Sequence, residues 1–159
     1  MNIFIPEHIE ILKALHKHDV QFLLIGGYAV IFYGYERTTG DMDIWLKPDN
    51  HNKLKLIEAF RSLGYEEEGL MDLQNSDFNE TLSFFLGVEP FKVDFINKIA
   101  LVSFDDAYQN KVIQVMDDDL PIPFININEL VLSKINTGRL KDQADIEELQ
   151  KIQQHKKEK

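Results

Sequence analysis

The chain has 159 residues, 44% apolar and 28% charged, which suits a single globular domain with a respectable core. It contains no cysteine, so disulfides, thiolate metal sites and thiol nucleophiles are excluded. Its 17 basic and 27 acidic side chains leave a formal charge of −10, which argues against broad, non-specific nucleic-acid binding.

The residues around Phe4 and Ile5 lack the basic start and long apolar core of a signal peptide. No apolar run is long enough to cross a bilayer. The expectation is a cytoplasmic protein with no membrane part, one domain over 1–159. Pro6 to Lys17 reads as a helix, with a proline suited to the first turn and Ile9, Leu12 and Leu15 near helical spacing. Val20 to Ile25 is nearly all apolar, as expected for a strand covered on both faces. Gly26-Gly27 follows at once, then a short helix from Tyr28 to Gly34. Met42 to Leu46 is a second strand. Asn50 to Leu63 is a helix with Leu54, Ile57 and Phe60 on one stripe and Gly64 as its stop.

Glu66 to Glu80 has weak periodicity and reads as a loop or hairpin arm. Thr81 to Leu86 and Phe91 to Ile96 read as strands joined through Gly87 to Pro90. Ser103 with Asp106 marks the start of a short helix through Tyr108. Lys111 to Met116 and Leu120 to Ile125 are strands flanking an Asp117 to Asp119 turn. Pro121 and Pro123 alternate, which predicts an edge strand for the second of them. Asn126 and Glu129 open a helix to Thr137 that Gly138 closes. A last helix runs from about Leu140 to Gln153, so C-terminal helices cover about 126–153. Lys156, Lys157 and Lys159 read as a basic, solubilising tail. The expected class is α/β (α+β), a mixed sheet backed by helices.

Asp41 and Asp43 alternate with Met42 and Ile44, so both carboxylates point to the face opposite the apolar one. Two negative charges at one point call for a cation, and carboxylate oxygens are the ligands magnesium prefers. Asp94, in Lys92-Val93-Asp94-Phe95, is the candidate third carboxylate, on a strand able to lie beside Met42 to Leu46. It would complete a clamp for two magnesium ions. Strand, two glycines, helix is an order that offers backbone N–H groups to a phosphate. It is neither a Walker A motif nor a dinucleotide fingerprint. Arg37 and Thr39 flank the carboxylates and could steady a phosphate. Lys134 falls on the inward stripe of its helix with Ile127, Leu130 and Val131. Its buried charge needs a partner, either Asp142 or Asp145 on the last helix, or a triphosphate or Asp41.

Gly26-Gly27-Tyr-Ala-Val, then Arg37-Thr-Thr-Gly-Asp41-Met-Asp43, resembles the signature of the DNA-polymerase-β-like nucleotidyltransferase superfamily. Within it the chain is similar to small bacterial stand-alone members, including those of abortive-infection and toxin–antitoxin systems. Glu129-Leu-Val-Leu-Ser-Lys134 and Gly138-Arg139-Leu-Lys141-Asp142-Gln-Ala-Asp145 resemble the C-terminal part of such proteins. The resemblance implies a nucleotidyltransferase fold and transfer of a nucleoside monophosphate from a nucleoside triphosphate to a hydroxyl acceptor. It implies that Asp41, Asp43 and Asp94 are catalytic and hold Mg2+, and that Gly26 and Gly27 approach the phosphates. Lys134 and Asp142 would line the nucleotide site with Arg37 and Thr39. Position 27 is often serine in such proteins and is glycine here. The acceptor class (RNA, protein or small molecule) is not written in these residues, and a protein partner or second copy could complete its pocket. A non-catalytic nucleotide-binding or toxin–antitoxin module on the same fold is the alternative.

Overall fold

The structure, a computed structural model, describes residues 3–157; Lys159 of the basic tail lies outside them. The strands are β1 (Phe22–Ile25), β2 (Met42–Leu46), β3 (Ser83–Leu86), β4 (Val93–Ile96), β5 (Val112–Met116) and β6 (Leu120–Phe124). The helices are α1 (Pro6–Lys17), α2 (Gly26–Phe32), α3 (Asn50–Ser62), α4 (Glu67–Asn75), α5 (Phe104–Gln109), α6 (Ile127–Lys134) and α7 (Leu140–Lys157). They build one six-stranded mixed sheet, ordered β3-β4-β2-β1-β6-β5, with helices packed on it. No helix among the described residues is long and apolar enough to cross a membrane.

Strand β2 lies between β1, to which it is antiparallel, and β4, to which it is parallel. All four residues of β1 are buried, as a central strand requires. It starts later than the apolar run because Asn52 takes the Gln21 backbone. Asn52 Oδ1 accepts from Gln21 N–H at 2.8 Å, and Asn52 Nδ2 donates to Gln21 O at 2.9 Å. Phe60, Phe95, Phe124 and Met42 are fully buried, and each such side chain contributes about 1.5–3 kcal/mol. Ser103 caps α5 by accepting from Asp106 N–H, and Asp49 caps α3 from Asn52 N–H.

Four further elements depart from the sequence expectations. The stretch read as a loop or hairpin arm contains helix α4, whose one buried residue is Leu70. It packs on α3, with Arg61 paired to Glu67 across the two helices. Strand β6 is interior, between β1 and β5. Ile125 N–H, on the side the prolines would use, donates to Leu24 O at 3.1 Å. Pro121 and Pro123 have no N–H to add there, so the β1–β6 register is held to Leu24↔Phe124, while β5 pairs along the other side. Helix α6 stops at Lys134: Ile135 is extended, Asn136 has φ 64°, and Thr137 turns to the start of α7, accepting from Arg139 N–H at 3.3 Å. Helix α7 continues through Lys157, with Lys156 Nζ 5.6 Å from the Tyr33 ring centroid.

Candidate active site

The register of the sheet places Ile25 opposite Asp43, Asp43 opposite Asp94, and Asp94 opposite Phe85. Residues in register on adjacent strands point to the same face, so the Asp43 and Asp94 carboxylates are neighbours. Asp41 precedes β2 by one residue and shares the parity of Asp43. Met42 and Ile44, of opposite parity, are wholly buried. Burial first, then Asp94 and then Asp41, push the Asp43 carboxyl up to about 6, with Lys134 and Lys141 opposing. Asp41 Oδ1 is buried without a hydrogen-bond donor. Glu89 lies alongside, its acid held above the ordinary value first by hydrogen bonding to Asp41. Lys92 Nζ stands 3.3 Å from Asp94 Oδ1 and 3.7 Å from Asp41 Oδ2.

The glycine pair adjoins this row. Gly26 has φ +69°, and a Cβ there would run into the Asp43 carboxylate. Gly27 opens the first turn of α2, where a Cβ would run into Thr39 Oγ1 and come 3.1 Å from Arg37 Nη2. Both positions therefore demand glycine for close approach, one to the carboxylates and the other to the Arg37–Thr39 segment. No side chain caps the N–H groups that begin α2.

A second cluster joins this segment to the C-terminal helices. Arg37 Nε is 3.0 Å from Asp145 Oδ1, and Arg37 Nη2 donates to Asp145 Oδ2 at 3.1 Å. Lys134 Nζ reaches Asp142 Oδ1 at 3.1 Å and Asp145 Oδ2 at 3.0 Å. Asp142 also accepts from Thr137 Oγ1 and Arg139 Nε, both at 2.7 Å. Burial alone would raise the Asp142 carboxyl, but those hydrogen bonds and the Lys134 charge outweigh it and hold it below the ordinary value. Asp142 and Asp145 are 2% and 1% exposed and Lys134 7%, so these charges are satisfied by one another.

The sequence-selected residues thus fall into two adjacent groups: Gly26, Asp41, Asp43 and Asp94, and Gly27, Arg37, Thr39, Lys134 and Asp142. Of the two partners considered for Lys134 on the last helix, it takes both. Lys92 and Glu89 join this site from outside the sequence-derived set. Lys92 carries the i, i+2 relation to Asp94 that singled out Asp41 and Asp43; Glu89 sits in a turn and has no periodic signal. Among the described residues, no three His, Asp or Glu side chains stand close enough to hold a metal ion as they are. Lys92 occupies one flank of the carboxylates instead.

Residues 5–158 match the family model described as "Nucleotidyltransferase of unknown function (DUF6036)". The chain belongs to this nucleotidyltransferase family. No curated protein matches it. Among solved structures, it is similar to the lincosamide antibiotic adenylyltransferase LnuA in its lincomycin-bound form, with 19% identity and a TM-score of 0.54 over 96% of this chain and 99% of that one. An antigenic nucleotidyltransferase-like protein from Paracoccidioides brasiliensis matches at 11% identity and a TM-score of 0.46, over 92% of this chain and 74% of that one. The family and the fold of the DUF6036 chain are those of nucleotidyltransferases.

Proposed function

We propose that this chain is a cytoplasmic, metal-dependent nucleotidyltransferase. It would move a nucleoside monophosphate from a nucleoside triphosphate to a hydroxyl acceptor, with release of pyrophosphate. The observation that carries this reading is the in-register Asp43–Asp94 pair beside Asp41, against a glycine that Asp43 itself requires. The donor set fits a divalent cation: hard carboxylate oxygens, one of them buried without a donor, on side chains whose mutual repulsion a cation would relieve. Asp41, Asp43 and Asp94 would hold it, Asp41 and Asp94 turning about their own side-chain bonds. A bound magnesium supplies charge neutralisation at the α-phosphate and a lowered acceptor pKa.

The chain's own residues would do the rest. Gly26 and Gly27 let the triphosphate approach the backbone, where N–H groups at the start of α2 would take phosphate oxygens. Asp94, on the outer side of the row, would accept the hydroxyl proton as that oxygen attacks the α-phosphorus and the bond to the β-phosphate breaks. Lys134, held by Asp142 and Asp145, acts electrostatically on Asp43, and Arg37, held by Asp145, would add a fixed positive group near the phosphates. The lincomycin bound to the structural neighbour makes small hydroxylated compounds the first acceptors to assay, before RNA and protein.

The test is incubation with labelled nucleoside triphosphates, Mg2+ and these acceptor classes. The expected outcome is a labelled product that Asp41→Ala lowers by about 10²–10³-fold, the scale of removing a central electrostatic group. A second reading, a nucleotide-binding or toxin–antitoxin module without transfer, draws on one observation: Arg37, Lys134 and Lys92 are all engaged by carboxylates of the chain itself. Magnesium- and triphosphate-dependent thermal stabilisation with no labelled product would favour it.

A further inference from the structure

Lys92 is fixed at its backbone, and its side chain is partly exposed. Its carbonyl accepts from Met42 N–H at 3.2 Å, and the preceding Phe91 carbonyl contacts His8 Nε2 at 3.1 Å. The ammonium spans Asp94 and Asp41, and the side chains of Lys92, Asp41 and Asp94 are 29%, 28% and 31% exposed. All three side chains are thus partly open to water, although Asp41 Oδ1 itself is buried, and the four-carbon stem lets the charge swing away. The Phe85 ring centroid is 5.1 Å from Nζ in the same pose, so the ring can still attract the ammonium when it leaves the carboxylates. Phe85 is 60% exposed at the edge of the sheet, and a cation over such a face is attracted by it.

Two of the three carboxylates read as metal ligands are thus already paired with a cation. An ammonium and a divalent ion on the same oxygens repel each other. We infer that Lys92 is the site's internal counter-cation: it offsets part of the charge of Asp41 and Asp94 in the metal-free protein and competes with the divalent ion for them. It therefore sets the metal concentration at which the site loads. This rests on Asp41, Asp43 and Asp94 being metal ligands. A lysine that merely staples the hairpin would not move metal affinity in this sense.

The experiment is Mn2+ titration of the full chain, with free Mn2+ read by electron paramagnetic resonance and no nucleotide present. Wild type, Lys92→Met, Lys92→Arg and Asp43→Asn are compared. Lys92→Met keeps the stem and drops the charge, so it should bind Mn2+ about three- to tenfold tighter, the ratio that one or two exchangeable ion pairs are worth. Lys92→Arg keeps the charge and should bind no tighter than wild type. In parallel melts, metal-free Lys92→Met should unfold at lower temperature than wild type and gain more from added Mg2+. Lys92→Gln repeats the test should the Met variant fold poorly. Equal or weaker Mn2+ binding by the neutral variants overturns the inference and leaves the ligand assignment standing. No Mn2+ binding by wild type or Lys92→Met, or binding untouched by Asp43→Asn, overturns the ligand assignment and the inference with it.

Discussion

Asp43 carries a charge that the folded chain makes costly. Its carboxyl titrates near 6 rather than the ordinary 3.8, through burial, Asp94 and Asp41 in that order. Between those values the native state binds more protons than the unfolded chain, so stability falls as pH rises through that window. Below it the penalty vanishes; above about 6 it is complete. At 1.36 kcal/mol per unit the cost at pH 8 is about 1–3 kcal/mol. Asp43→Asn should therefore melt higher than wild type at pH 8 in EDTA and level with it near pH 4. Equal melting at both pH values would mean that the carboxylate is already compensated. The same carboxylate, aided by its neighbours, gives a divalent cation something to relieve, so the cost is tied to the proposed function. How such residues could be read from sequence follows from distance. Asp41, Asp43 and Asp94 show themselves through strand alternation, which is local. The grip of Asp145 on Arg37 joins residues far apart in the chain and forms only when α7 docks.

Elements with a strong local signal stand where the sequence puts them. The expected bounds of α1 and β2 are those observed, because a proline start, helical spacing and strict alternation leave little choice. Helix α4 carries a short signal: Glu67–Asn75 contains Gly69 and has only Leu70 buried and Leu73 packed beside it as an apolar stripe, too little to fix a nine-residue helix without packing on α3. Strand β6 misled for the opposite reason. Prolines do forbid donors on one side, but the sheet tolerates that where β1 pairs only briefly. Helix α7 likewise has a weakly amphipathic sequence, and its buried groups are Asp142, Asp145 and Leu149. Leu149, with Ile146 and Ile152 packed at the margin of the core, shares that attachment with the ionic cluster, and the weight of the ionic part can be tested. Asp145→Ala removes the shared partner of Arg37 and Lys134 and leaves a buried cation under-paired. The expected loss is about 3–5 kcal/mol, measured by urea unfolding. A loss under about 1 kcal/mol would show that α7 is held by its apolar contacts instead.

At the scale of the molecule, three distant parts meet at His8. It is wholly buried on α1, with Nδ1 3.2 Å from the Tyr28 hydroxyl of α2 and Nε2 3.1 Å from Phe91 O before β4. A carbonyl can only accept, so Nε2 carries the proton and Nδ1 accepts from Tyr28, which assigns the neutral tautomer. Burial lowers the His8 pKa from 6.5, against smaller upward pushes from the Phe91 hydrogen bond, Glu7, the Lys92 backbone and Asp41. The unfolded chain then takes up a proton on His8 more readily than the native one. Stability from this group is full above about 6.5 and is lost as pH falls through the lower native value. That sign is opposite to the one at Asp43, so the wild-type pH profile mixes the two. His8→Gln separates them, since an amide has one donor face and one acceptor face for the same two partners and does not titrate. Melts at pH 7.5 and 5.0 should show wild type losing more on acidification than His8→Gln, with the difference confined below about 6.5. Parallel profiles would mean that His8 accepts a proton as readily in the folded protein as in the unfolded one, and α1 would then not depend on a neutral imidazole for its hold on the hairpin that carries Lys92.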